Sequence, residues 1–136
     1  MKLDDFINNE EVDFTKNCVT ADDIKSIESV IGNSIGPELI DYLLKYGYLG
    51  FKHIEMYGIN SAQLMDSDMI TQTKYLHKYF EKTRPYIALE NCGDGKFAMV
   101  SSEDEVFLYI SDSDVLEDTK QKLSNYILNR FQEINN

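Results

Sequence analysis

Apolar positions recur at helical spacing toward both ends of the chain and gather into short runs between them. Leu3, Phe6 and Ile7 fit a short helix over residues 2–9, while residues 8–19 have no period and read as a wrapping loop. Thr20-Ala21-Asp22-Asp23 then has the form of a capping box, in which the Thr hydroxyl accepts from the third amide and Asp23 reaches back. Ile24, Ile27 and Ile31 follow as one helical stripe, and Gly32 supplies a left-handed stop. A second helix opens at Gly36-Pro37, where a proline's missing N–H is no loss, carries Ile40, Leu43 and Leu44, and closes at Gly47.

From residue 51 the period changes. Phe51 to Ile59 is short, aromatic and β-branched, and reads as one strand containing His53. Residues 61–83, with Leu64, Met65, Ile70, Tyr75, Leu76, Tyr79 and Phe80, fit one broken or two short helices stopped by Pro85. Tyr86–Glu90 and Lys96–Val100 flank the glycine-bearing turn Asn91-Cys92-Gly93-Asp94-Gly95 and predict a β-hairpin. Glu105–Ile110 is a third strand, whose continuous apolar run suggests a central, doubly covered position. Leu123, Tyr126, Ile127, Phe131 and Ile134 form the stripe of a last helix, interrupted by one charged residue, Arg130. The expected architecture is α+β: a mainly antiparallel sheet with flanking helices, its meander three-stranded. A length of 136 residues suits one domain, with 1–19 as an N-terminal extension to a core of 20–136.

Charge sharpens this picture. The chain has 24 acidic and 13 basic residues, a net charge of −11. That balance argues against nucleic acid and anionic lipid as partners, since phosphate binding needs clustered Lys and Arg. The charge is uneven: residues 24–89 are neutral, whereas residues 90–118 hold nine acids and Lys96 alone. A basic partner is the expected complement. The candidate partner-binding carboxylates are Glu90, Asp94, Glu103, Asp104, Glu105, Asp112, Asp114, Glu117 and Asp118. Tyr86 and Phe107 are candidate aromatic anchors if exposed, with core packing as the other reading of Phe107.

Catalytic and metal templates fit poorly. His53 and His77 lack a carboxylate or thiol at ligand spacing, and Cys18 and Cys92 lie 74 positions apart without a CxxC pattern. The two cysteines read as free thiols, a long-range disulfide being the alternative. The glycine turn lacks the Lys and hydroxyl of a phosphate loop, and Asp94 would repel an anion. Asp66/Asp68, Asp112/Asp114 and Glu103-Asp104-Glu105 do not have the ligand spacing of a calcium-binding loop. No catalytic residue, metal or cofactor is expected. The chain shows neither a signal-peptide pattern nor an apolar stretch long enough to span a membrane, and it reads as cytoplasmic.

Ile24-x-x-Ile27-Glu28-x-x-Ile31-Gly32, followed by Ile35-Gly36-Pro37-Glu38-Leu39 and closing at Tyr46-Gly47, resembles the amino-terminal signature of the Smi/Knr-like family in the SUKH superfamily. Gly36 departs from it, since an apolar residue is usual before the proline, and Ile35 takes that packing role shifted by one. The resemblance implies a single SUKH-like domain without catalytic machinery. It also implies an immunity protein, or antitoxin, that binds and neutralises a bacterial toxin, commonly a nuclease; fungal relatives regulate cell-wall synthesis. The competing readings are a regulatory or scaffold protein, and a small-molecule binder or hydrolase with a pocket formed by Tyr75, Tyr79 and Phe80.

Overall fold

The structure is a computed structural model, and it describes residues 1–15, 19–59 and 65–135. Helix α1 (Leu3–Asn9) is followed by a two-residue strand, β1 (Asp13–Phe14), then by α2 (Ala21–Ile31) and α3 (Pro37–Lys45). Strands β2 (Leu49–Phe51) and β3 (Ile54–Met56) form a hairpin, and β1 pairs with β2 to complete a small antiparallel sheet. Helix α4 (Met69–Tyr79) leads to the main sheet, β4 (Ile87–Gly93), β5 (Lys96–Val100), β6 (Glu105–Ile110) and β7 (Val115–Lys122), antiparallel throughout in that order. Helix α5 (Leu123–Asn135) closes the fold. The α+β class with flanking helices and a mainly antiparallel sheet is what the hydrophobic pattern implies.

Local rules explain most boundaries. Thr20 and Asp23 make the expected capping box, and Gly32 ends α2 at φ 68°. Asp68 caps α4 by accepting from the Thr71 amide at 2.8 Å, which gives that carboxylate a structural task. Leu64 lies outside the described residues, and Met65–Ser67 is a single 3₁₀ turn.

Several elements differ from the expectation, among them β1, which falls in the segment read as a loop, and β4, which runs on to Gly93 through residues read as a turn. Residues 51–59 are not one strand: the chain turns at Lys52, with φ 54°, and places His53 in a two-residue hairpin turn. Strands of three residues are too short to show a period. Helix α1 belongs to the core rather than to an extension, because Phe6 packs on Phe51 and Phe131 at ring separations of 5.2 and 5.8 Å. Aromatic rings bury large areas, so this cluster ties the first helix to β2 and α5. The segment after Ile110 is a tight turn and a further strand, so the meander has four strands instead of three; β6 is flanked by β5 and β7 but is only half-buried, not doubly covered.

The two sheets meet where the Tyr57 amide donates to the Leu89 carbonyl at 2.7 Å. Tyr42, from α3, donates its buried hydroxyl to the Tyr57 carbonyl at 2.7 Å. Gly58 lies so close to Gly47 that a Cβ there would sit 1.8 Å from the Gly47 carbonyl oxygen, so this crossing requires glycine.

Candidate protein-binding surface

The main sheet sorts the nine candidate carboxylates into two inward-facing and seven on its rim. Glu90 and Asp104 are each 2% exposed. Neither can meet a partner in this fold, which corrects the expectation for both.

Glu90 sits on β4 beneath α5. The Tyr126 hydroxyl donates to it at 2.8 Å, and Arg130 Nε donates to both its oxygens at 3.2 Å. The Arg130 terminal nitrogen closes a second ion-pair contact. Hydrogen bonding to Glu90 drives the Arg130 guanidinium further toward its charged form, and burial beside Glu90 pushes Tyr126 well above the usual phenol range. Cys92 Sγ lies 3.7 Å from the Tyr126 oxygen, and burial pushes its thiol up to about 11. Cys92 is a free, protonated thiol; Cys18 lies outside the described residues.

Asp104 occupies the β5–β6 turn at φ 64° and caps a helix from a distance. Its two oxygens accept from the amides of Glu38 and Leu39 at 2.9 Å, the second and third residues of α3. Its carbonyl accepts from the Leu123 amide at 2.9 Å, where α5 begins. One residue thus joins the starts of two helices to a sheet turn. Gly36 leaves room for it.

The other seven are distributed in space. The β4–β5 and β6–β7 turns lie side by side, locked by the Ser111 amide donating to the Gly95 carbonyl at 2.9 Å. This gathers Asp94, Asp112 and Asp114 at one end of the sheet, all exposed. Glu117 and Asp118 continue along β7, the outer strand, while Glu103 and Glu105 lie toward the opposite end. Charge there is partly compensated, since Glu105 pairs in register with Lys122 and Lys82 lies 3.7 Å from Asp114. Asp94, Asp104 and Asp114 have φ between 53° and 64°, a region that aspartate tolerates better than most residues. Part of the acidic window is therefore turn chemistry.

The two aromatic anchor candidates pack on each other, Tyr86 and Phe107 having ring centroids 5.2 Å apart. Tyr75 and Tyr79 are exposed, and Phe80 packs on Tyr109 at 5.3 Å. Tyr79 and Phe80, but not Tyr75, border an open groove of about 420 Å³ between the end of α4 and the β6–β7 turn, not an enclosed pocket. His77 Nε2 faces the Tyr86 carbonyl at 2.7 Å. Among the described residues no group of three His, Cys, Asp or Glu side chains is arranged to hold a metal ion, and no helix is long and apolar enough to cross a membrane.

What the chain offers is thus a charged rim on a closed fold. The SUKH_5 family model, described as SMI1-KNR4 cell-wall, matches residues 3–132. The chain belongs to the SMI1-KNR4 family. No curated protein matches it. Membership makes it a domain of the immunity-protein or cell-wall-regulator type, a family whose members are generally non-catalytic. The match includes α1, in keeping with its place in the core. Arg130, Tyr126 and Lys82 are partners of the candidate carboxylates that the acidic window alone did not reveal. Arg130 had a signal: it is the charged position inside an otherwise apolar helical stripe, and such a residue calls for a buried counterion.

Proposed function

We propose that this protein is a cytoplasmic immunity protein: a non-catalytic domain that binds a cognate bacterial toxin and neutralises it through its acidic rim. The observation that carries this reading is the pair of locked turns, which concentrates Asp94, Asp112 and Asp114 at one end of the sheet and continues into Glu117 and Asp118 on the outer strand. A toxin that holds nucleic-acid phosphates needs a basic cleft. Carboxylates on a rigid rim are suited to enter such a cleft and to speed encounter, toward roughly 10⁸ M⁻¹s⁻¹ where steering is strong. Family membership supports the same class of function.

The test is co-expression with the toxin domain encoded beside the gene, scored by growth rescue and by co-purification. Rescue with a stoichiometric complex is expected. Absence of both would overturn the reading and favour the regulatory role that the family's cell-wall description suggests.

A further inference from the structure

Helix α4 carries charge of the opposite sign to the rim beside it. Its solvent face holds Lys74, Tyr75, Lys78 and Tyr79, and the Lys78 ammonium lies 5.3 Å from the centre of the Tyr79 ring. Tyr75 and Tyr79, one turn apart, are 50% and 59% exposed, with ring centroids 5.0 Å apart. Two large rings on the surface without cover are unusual for residues that contribute so much when buried.

Across the groove lies the β6–β7 turn. Lys82 bridges the two banks, donating to the Asp114 carbonyl at 2.7 Å. Beyond it stand Asp112, which is exposed and in no ion pair among the described residues, and Val115, 41% exposed. The α4 bank thus carries basic and aromatic side chains, the charges of Glu81, Lys82 and Asp114 line the groove itself, and Asp112 and Val115 stand on the β6–β7 turn.

Such a patch is complementary to itself. A two-fold axis running through the groove, at right angles to the line joining the banks, sets the basic bank of one copy against the acidic bank of the other, twice. We infer that this face is a homodimer interface, with Tyr79 near the axis and Lys78 opposite Asp112 of the second copy. Exposed tyrosines ringed by polar residues have the composition of an interface centre. Repulsion between two chains of charge −11 is screened beyond about 8 Å at physiological salt, whereas contacts across the groove act within that range. Asp112 also belongs to the proposed toxin-binding rim, so a second copy and a toxin would exclude each other there. The dimer does not rest on the toxin reading and is tested without a toxin.

Sedimentation velocity on the full chain, at concentrations up to about 0.5 mM to reach the weak affinity of a small interface, should give a reversible monomer–dimer equilibrium. Lys78→Glu alone and Asp112→Lys alone should each raise the dissociation constant about tenfold, because each is repeated twice across the axis. An equimolar mixture of the two variants should restore dimerisation, since in the mixed dimer both contacts again join opposite charges. Tyr75→Ser with Tyr79→Ser should abolish the dimer while leaving the thermal unfolding of the monomer unchanged. A chain that stays monomeric throughout, a dimer indifferent to both charge reversals, or a mixture no stronger than its components would each overturn the inference.

Discussion

The carboxylate of Asp104 occupies the space that a side chain on Gly36 would fill: a Cβ on Gly36 would lie 2.4 Å from it. Gly36 is the N-cap residue of α3 and brings no capping side chain, so a residue from the β5–β6 turn supplies the cap instead. The negative charge also meets the positive end of the helix dipole. Asp104→Ala should cost about 2–4 kcal/mol, combining a lost cap with two amides left unsatisfied. Gly36→Ala should cost a similar amount by displacing the carboxylate. In the double variant the steric conflict is gone, so the two costs should fall well short of adding. Urea unfolding of the four proteins measures this, and strict additivity would refute the shared-space account.

The Glu90–Arg130 pair gives a second non-additive case. Arg130→Ala leaves a buried carboxylate without its counterion, held by neutral donors such as the Tyr126 hydroxyl, an expected loss of about 3–5 kcal/mol. Replacing both partners with apolar residues, Glu90→Leu with Arg130→Met, removes the buried charges together and should cost far less. Denaturant midpoints decide. A double variant as unstable as Arg130→Ala would mean that the network contributes something other than charge compensation.

These two carboxylates show where the sequence was legible and where it was not. Helices α2, α3 and α5 follow from local rules, namely a capping box, a proline start and an i, i+3, i+4 stripe, because those signals lie within a few residues. Glu90 and Asp104 resembled their exposed neighbours because their partners are distant in sequence: Arg130 lies 40 positions away, and Leu39 lies 65. Charge counts along a chain cannot distinguish a solvated carboxylate from one that caps a remote helix. Strand β7 was hidden for another reason. It is an edge strand with many polar positions, and two extra residues, Thr119 and Lys120, interrupt its register with β6. Lys120 has φ 60° there, and the Thr119 hydroxyl donates to the Val106 carbonyl at 2.7 Å. Such bulges and charges guard exposed edges against unwanted pairing, and they also erase the alternation that reveals a strand.

Buried acids of a different kind set the alkaline limit. Burial pushes the Cys92 thiol up to about 11 and Tyr57 up to about 12, and it raises Tyr42 and Tyr126 as well. The unfolded chain gives up the same protons near the ordinary values, about 8.5 for cysteine and about 10 for tyrosine. Above those values the folded chain binds more protons than the unfolded one, so stability falls as pH rises. The contribution is fully present below about pH 8 and is lost progressively as these groups ionise toward pH 12. Urea midpoints at pH 8, 10 and 11, followed together with tyrosinate absorbance, should decline in step. A midpoint that holds constant to pH 11 would rule this out.

Folding and binding can be separated on the rim itself. Glu103 and Glu117 are exposed, and neither carboxylate takes part in a hydrogen bond or ion pair among the described residues. Glu103→Lys with Glu117→Lys should therefore change unfolding free energy by about 0.5 kcal/mol or less at each site. Asp104→Lys, next to Glu103 in the β5–β6 turn, should unfold the chain, because it places a lysine where the α3 amides need an acceptor. If the rim steers a basic toxin, the double rim variant should bind it about tenfold more slowly at low salt, and its association rate should vary less with ionic strength than the wild type's. Stopped-flow association at two salt concentrations reads both effects. Equal rates and equal salt slopes would move the binding surface off the rim, whereas a fall in stability would mean that these two carboxylates support the fold after all.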